Sequence, residues 1–501
     1  MTTNFPTRRR VLVGAAAFGA AVAAPAIIRP RAALAAKARS TDGVTELRAA
    51  PTTAQLVPAQ YGQTDVWAYG EGQGKSTIPG PAIRVRAGER VRRRFRNDLP
   101  QTSAVHWHGI RLRNAMDGAA GLTQEPVEPG ANFDYSFIAP DPGTYWYHSH
   151  NRSWEQMARG LSGPLIVEDT EPWLGLEGAA TREIVLHLDD WFLGADAKLD
   201  EASFGALHEW AHAGRIGNTF TVNGAMDPVL PVRAGERVRL RLINAANARI
   251  MPLRLPEHRA TLIALDGHPV APREAEQGVV LTPAQRADLV IDCTGRPGDR
   301  AALLLDIGRD QWIEVAGLRY RDEPALSRQE NEVRPLPTWA PDRRPPLDLA
   351  GALRADLVME GGAMGNLTSA RLGGVPATFD ELVAAKRVWA FNGSAGGPAN
   401  EDSGYGLDEP VFRAERGRTV RLLIRNETGF PHGIHLHGHH FTILRVNGTP
   451  HPTPDVRDTV LLNRSDAVEI AFVADNPGRW LLHCHMLEHQ AAGMLSWFEV
   501  A

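Results

Sequence analysis

Two cysteines in 501 residues are too few for a disulfide framework, which excludes a stapled scaffold. There is no excess of basic charge either. Lys and Arg number 54 against 58 Asp and Glu, for a net charge of −4. Five of those arginines stand in the first 36 residues, which hold no acid, so the remainder carries −9. An acidic body with scattered arginines argues against a nucleic-acid partner. Beyond the amino terminus no stretch is apolar enough to span a bilayer. Glycine (48) and proline (36) are plentiful, yet short of the level that marks disorder, and so point to many turns between short strands. At ~150 residues per domain the length suggests about three domains.

The first 36 residues read as an address. Thr7-Arg8-Arg9-Arg10-Val11-Leu12 resembles a twin-arginine export signal, followed by an Ala/Gly-rich run over residues 11–28 that Pro25 interrupts. Ala33-Leu34-Ala35 offers a small-residue cleavage site. A run of this length is barely enough for a membrane anchor, and the proline and the Ala-x-Ala fit removal better. The mature protein is therefore expected to be soluble, without stable membrane insertion, and periplasmic or extracellular.

Three segments repeat: residues 81–97, 228–244 and 410–426. Each is a strand, a turn glycine (Gly88, Gly235, Gly417) and a second, alternating strand that ends at Asn97, Asn244 or Asn426. In the first copy Val91, Arg93 and Phe95 share a face, as Val420, Leu422 and Ile424 do in the third. The spacing is domain-sized, so an all-β chain of three β-sandwiches of one type is expected. The expected divisions are a signal peptide over 1–36, sandwiches over 45–170, 171–320 and 386–501, and a Pro- and Arg-rich linker over 321–385.

Ten of the 18 histidines fall in four clusters. These are His106-Trp107-His108, His148-Ser149-His150, His432-Gly433-Ile434-His435-Leu436-His437, and His483-Cys484-His485 with His489 beyond. Two clusters lie in the first repeat unit and two in the third. In a strand, residues i and i+2 share a face, so each His-x-His presents two imidazoles side by side. One such pair arises easily by chance; four pairs in two copies of one domain point to metal. Cys484 lies between His483 and His485, so its sulfur faces the other way. With His432, His489 and Met494 it makes Cys-His₂ plus a weak thioether, the ligand set of a blue-copper site. Zinc accepts cysteine but has no redox chemistry, so copper is the better match. The eight remaining imidazoles are too many for one metal and suit three.

These motifs, with Gly109, Tyr147, His439 and the spacing from His485 to His489 and Met494, resemble the four copper motifs of the multicopper oxidases. They stand in that family's order, and the resemblance spans essentially the whole mature chain. It implies three cupredoxin-like Greek-key sandwiches in tandem and four copper ions. By motif, a type 1 copper would take His432, Cys484, His489 and Met494. A type 2 copper would take His106 and His435. A type 3 pair would take His108, His148, His150, His437, His483 and His485. The partners implied are O₂ and a small reducing substrate, with phenols or aromatic amines first. Cuprous or ferrous ions are the alternative, and a copper-free structural relative would have lost ligands that are all here. Cuprous specialists often carry a methionine-rich insert, whereas residues 350–385 hold only Met359 and Met364.

Asp117, nine residues past His108, resembles a family carboxylate that supports proton delivery near the three-copper cluster. One position departs from the pattern. Many bacterial laccases place a glutamate directly after the last type 1 histidine, and here that residue is Gln490. Glu488 is a neighbour, but adjacent strand positions face opposite ways, so no role is expected of it. His439 is read as an outer partner of a ligand, and His440 as structural. His187, His208, His212, His258, His268 and His451 read as ordinary, with a place along the substrate side as the alternative for some, and Cys293 as a buried strand residue. Trp107 and Trp146 are expected to wall the cluster, and the middle domain to act as a spacer and as part of the substrate wall.

Overall fold

A computed structural model describes residues 43–168, 181–327, 344–397 and 409–501. The twin-arginine segment and the expected boundary near 170 lie outside the described residues. No helix among the described residues is long and apolar enough to cross a membrane.

The three repeats become three copies of one strand–turn–strand unit. Their turn glycines sit at φ +84, +81 and +86, a left-handed conformation that a side chain would strain. The strand after each turn takes the inner place of a sheet. Arg90–Asn97 lies between Thr45–Ala54 and Asn132–Ile138. Arg237–Asn244 lies between Thr181–Trp191 and Arg286–Asp292, and Thr419–Asn426 between Leu353–Gly361 and Ala467–Val473.

The terminal asparagine is buried each time and works as the same clamp. Its amide donates to two backbone carbonyls, Gln101 and Val127 from Asn97 and Arg249 and Leu281 from Asn244. Asn426 donates to Phe430 and Asn463. Its carbonyl accepts the N–H two residues on, from Leu99, Ala246 or Thr428.

A second sheet faces each of these. In the first sandwich it runs Ile83–Arg86, Ser162–Glu168, Gly143–Ser149, Val105–His108. In the third it includes Leu495–Val500, Gly478–Cys484, His432–Leu436 and Thr459–Leu462. One buried apolar cluster runs on through the first and third sandwiches, while the middle one packs around its own.

The expected linker over 321–385 is largely a misreading. Leu353–Gly361 is an inner strand of the third sandwich, parallel to Thr419–Asn426. Ser369–Leu372 and Val375–Thr378 form a hairpin, and the helix Phe379–Ala384 follows, started by a capping box between Thr378 and Glu381. The Pro/Arg-rich stretch hid a strand whose partner stands far along the chain.

Candidate metal centres

Register puts the histidines together. Val105–His108 pairs antiparallel with Gly143–Ser149 so that His106 stands opposite His148. His432–Leu436 pairs with Gly478–Cys484 so that His435 faces His483 and Ile434 faces Cys484. Strand alternation then sends His432 and Cys484 to one face, and His435 and His483 to the other. On the first face His432, Cys484 and His489 gather, every ligand atom within 4.8 Å of the others. On the second, three all-histidine groups meet the same limit: His106, His108 and His435; His108, His148 and His485; His150, His437 and His483. Met494 is buried beside the first group, its carbonyl accepting the Cys484 N–H at 3.0 Å.

The hydrogen bonds around the rings fix which nitrogen points inward. His106, His148, His435 and His483 each donate from Nδ1 to a carbonyl, of Asp117, Ser149, Asp458 and Cys484, at 2.7–2.9 Å. His437 donates from Nδ1 to Asp117 Oδ2 at 2.8 Å. Their Nε2 atoms are therefore lone pairs. Two of these, on His437 and His483, stand only 3.0 Å apart. Nε2 of His106, His148, His435 and His485 and Nδ1 of His108 are buried with no hydrogen-bond partner. The other face repeats the pattern. His489 donates from Nε2 to the His212 carbonyl at 2.6 Å, and its Nδ1 lies 3.0 Å from His432 Nδ1. Cys484 Sγ is 3.6 Å from His432 Nδ1 and 3.9 Å from His489 Nδ1. Buried lone pairs that face one another repel unless a cation sits among them.

Burial keeps the rings neutral. It drives His108, His148, His150, His432, His437, His483 and His485 well below the usual histidine range, and their neighbouring imidazoles push the same way. Burial lowers His489 to about 4 and raises the Cys484 thiol to about 12. Neutral imidazole is the ligating form, and a bound cation is what would make that cysteine a thiolate.

Multicopper oxidase family models match residues 52–172, 182–302 and 378–501. The chain is 30% identical to the multicopper oxidase MmcO of Mycobacterium tuberculosis, over 84% of this chain and 81% of that one. It is 29% identical to Laccase-1 of Fomitopsis schrenkii, over 83% and 80%. A crystal structure of the multi-copper oxidase of Pseudomonas thermotolerans superposes with a TM-score of 0.75 at 32% identity, covering 91% and 98%.

The chain belongs to the multicopper oxidase family. It is thus a copper-dependent oxidoreductase with cupredoxin-like sandwiches, and the converging lone pairs fit that metal.

Several residues of this multicopper oxidase escape a sequence reading. Asp458, in an unremarkable Arg-Asp-Thr-Val stretch, is fully buried and accepts from His108 Nε2 at 3.2 Å. Burial alone would raise its carboxyl. The Arg286 guanidinium, 2.6 and 2.9 Å away, together with His108 and His435, outweighs burial and holds it well below the carboxylate range. Arg286 belongs to the middle sandwich, which is therefore more than a spacer. Thr428 Oγ1 backs His432 Nε2 at 2.7 Å. No short motif announces these residues; only the fold brings them in.

Three expectations need correcting. Glu488 lies on a helix, Leu487–Ala491, and not on a strand; it is buried and accepts from Asn247 at 2.9 Å. Trp107 points into the first sandwich, against Tyr135, Phe137 and Tyr147, so only Trp146 walls the cluster, its ring 4.4 Å from that of His148. His439 reaches the backbone carbonyl of His437, not a ligand ring, and packs among Phe472, Trp480 and Phe498.

Proposed function

We propose that this oxidase is exported by the twin-arginine route and works in the periplasm or outside the cell. There it takes single electrons from a small reducing substrate, phenols or aromatic amines first, and reduces O₂ to two waters. His432, Cys484 and His489, with Met494 as a weak axial thioether, would hold a type 1 copper. His106 and His435 would hold a type 2 copper, and His108, His148, His150, His437, His483 and His485 a type 3 pair. Four copper ions supply the redox capacity to store four electrons, so partly reduced oxygen need not escape.

The observation that carries this reading is covalent continuity. Cys484 belongs to one centre, and the residues on either side of it, His483 and His485, belong to the other. Electrons have a through-bond route from face to face. The chain's remaining task is protons. Asp117 Oδ2 orients His437, while Oδ1 is buried with no hydrogen-bond partner and can take a proton. Gln490 cannot share that work.

A metal-ion substrate is the second reading, favoured by one feature. His489 has no exposed edge; its Nε2 is covered by the His212 carbonyl from the middle domain. A donor must dock outside that cover.

Copper-loaded protein should be blue and hold four copper ions per chain. Cys484→Ser should lose the colour and the oxidation of a dimethoxyphenol while keeping the fold. A colourless wild type with full metal loading overturns the type 1 assignment.

A further inference from the structure

The helix Leu487–Ala491 carries His489 but cannot hold itself in place. Its five residues make little more than one turn, and a helix that short is not stable alone. The first N–H groups of any helix lack partners within it, and the Met486 side chain at the start of this one caps none of them. The cap comes from another sandwich. The Leu487 N–H donates to the backbone carbonyl of Asn247 at 3.1 Å.

Asn247 stands just past the strand Arg237–Asn244 of the middle sandwich, and it is buried. Its side-chain amide has two N–H donors, and each reaches a different domain. One goes to the Trp154 carbonyl of the first sandwich at 2.8 Å, the other to Glu488 Oε1 of the third at 2.9 Å. Glu488 is buried as well, and its Oε2 is packed against bare backbone: a Cβ on Gly214 would come within 3.0 Å of it. His489 is the next residue, with its Nε2 donating to the His212 carbonyl. The middle sandwich thus grips Leu487, Glu488 and His489 in succession, although it supplies no ligand. The sequence gave Glu488 no role; the fold gives it one.

We propose that Asn247 and Glu488 form one clamp that positions His489 for the type 1 copper. The proposal rests on the type 1 assignment above. With the clamp closed, the turn of helix under His489 is fixed before metal arrives, so binding does not have to order it. With the clamp cut, that turn keeps only the Leu487 and His489 bonds to the middle sandwich. Groups that orient a metal ligand contribute about 10–100-fold in affinity, and the effect should fall on the Cys484 centre alone, because neither clamp residue bonds to a histidine of the eight-histidine cluster.

The test titrates the copper-loaded full chain with a chelator and follows the blue absorbance, which reads the Cys484 centre. Asn247→Ala removes the amide and leaves the backbone carbonyl. It should lose its colour at about tenfold less chelator than wild type, while the other copper ions stay bound, and its type 1 hyperfine splitting in electron paramagnetic resonance should change. Glu488→Leu cuts the same tie from the helix side without stranding a charge, and should shift the midpoint by the same factor. The double variant should shift no further, because the two side chains act as a unit. Asn244→Ala, which weakens the same sandwich without touching this helix, should keep the wild-type midpoint. Should Asn247→Ala not fold, Glu488→Leu decides alone. A wild-type midpoint and splitting in a folded clamp variant overturns the clamp. So do losses that add in the double variant, or an equal shift in Asn244→Ala. A wild type that is not blue overturns the type 1 assignment, and the clamp with it.

Discussion

Asp117 touches two histidines with two different atoms. Its carbonyl takes the His106 Nδ1–H at 2.7 Å, and its carboxylate takes the His437 Nδ1–H at 2.8 Å. The loop can come this close because the next residue is Gly118, at φ +83; a Cβ there would lie 1.9 Å from the Val105 carbonyl oxygen. Asparagine at 117 would keep the shape and both bonds to histidine, but an amide cannot take up a proton at this pH. Substrate oxidation depends on His432, Cys484 and His489, none of which Asp117 contacts. Asp117→Asn should therefore still bleach quickly when reductant is added without oxygen. On aeration it should recover its colour slowly, by about the 10²–10⁴-fold that a general acid typically contributes. Stopped-flow absorbance decides the matter. Reoxidation at the wild-type rate with full copper would make Asp117 a scaffold residue only. Its position relative to His108 was legible in the chain. Asp458 was not, because its partners His108 and Arg286 lie 350 and 172 residues away.

At the scale of elements, the repeat was readable because it is written in period-two alternation and a turn glycine. Val91 and Phe95 are buried while Arg92 and Arg94 are exposed, as alternation requires, and Arg93, on the inner face, is partly buried. The second copy breaks the rule: every residue of Arg237–Asn244 is buried. Arg239 and Arg241 there are paired with Glu183 and Asp288, and Arg241 also donates to Thr144 of the first sandwich. Sequence pattern cannot distinguish an arginine facing water from one facing a neighbouring domain. The closing asparagine is the more general lesson, since three buried side chains make the same three bonds. Asn244→Ala would strand two carbonyls and one N–H in the interior, each unsatisfied group costing about 1–3 kcal/mol. We expect a loss of about 3 kcal/mol, read as a lower urea midpoint, with colour and copper content unchanged because no proposed ligand is near. A loss under about 0.5 kcal/mol, the level of an ordinary surface change, would mean the clamp is incidental.

At the scale of the whole molecule, the middle sandwich holds the other two together around one guanidinium. Arg286 is fully buried and donates to the Thr144 carbonyl of the first sandwich at 3.0 Å. It also forks onto Asp458 of the third. Asp458 in turn fixes His435 through its carbonyl and His108 through its carboxylate. Histidine spacing along the chain marks the ligands and not Arg286 or Asp458, which orient them from elsewhere in the chain. Arg286→Met leaves a buried carboxylate without its cation, which costs about 3–5 kcal/mol. Two effects should then appear together: a lower unfolding temperature, and copper lost from the eight-histidine cluster while the Cys484 colour persists. Adding Asp458→Leu removes the stranded charge, so the double variant should regain most of the lost stability. It should not regain the copper, because His108 still lacks its carboxylate, and loss of such a partner costs about 10–100-fold in affinity. Calorimetry and metal analysis on the same samples separate the two roles. If copper returns along with stability, the arginine–aspartate pair serves the fold alone, and His108 needs no help in holding its place.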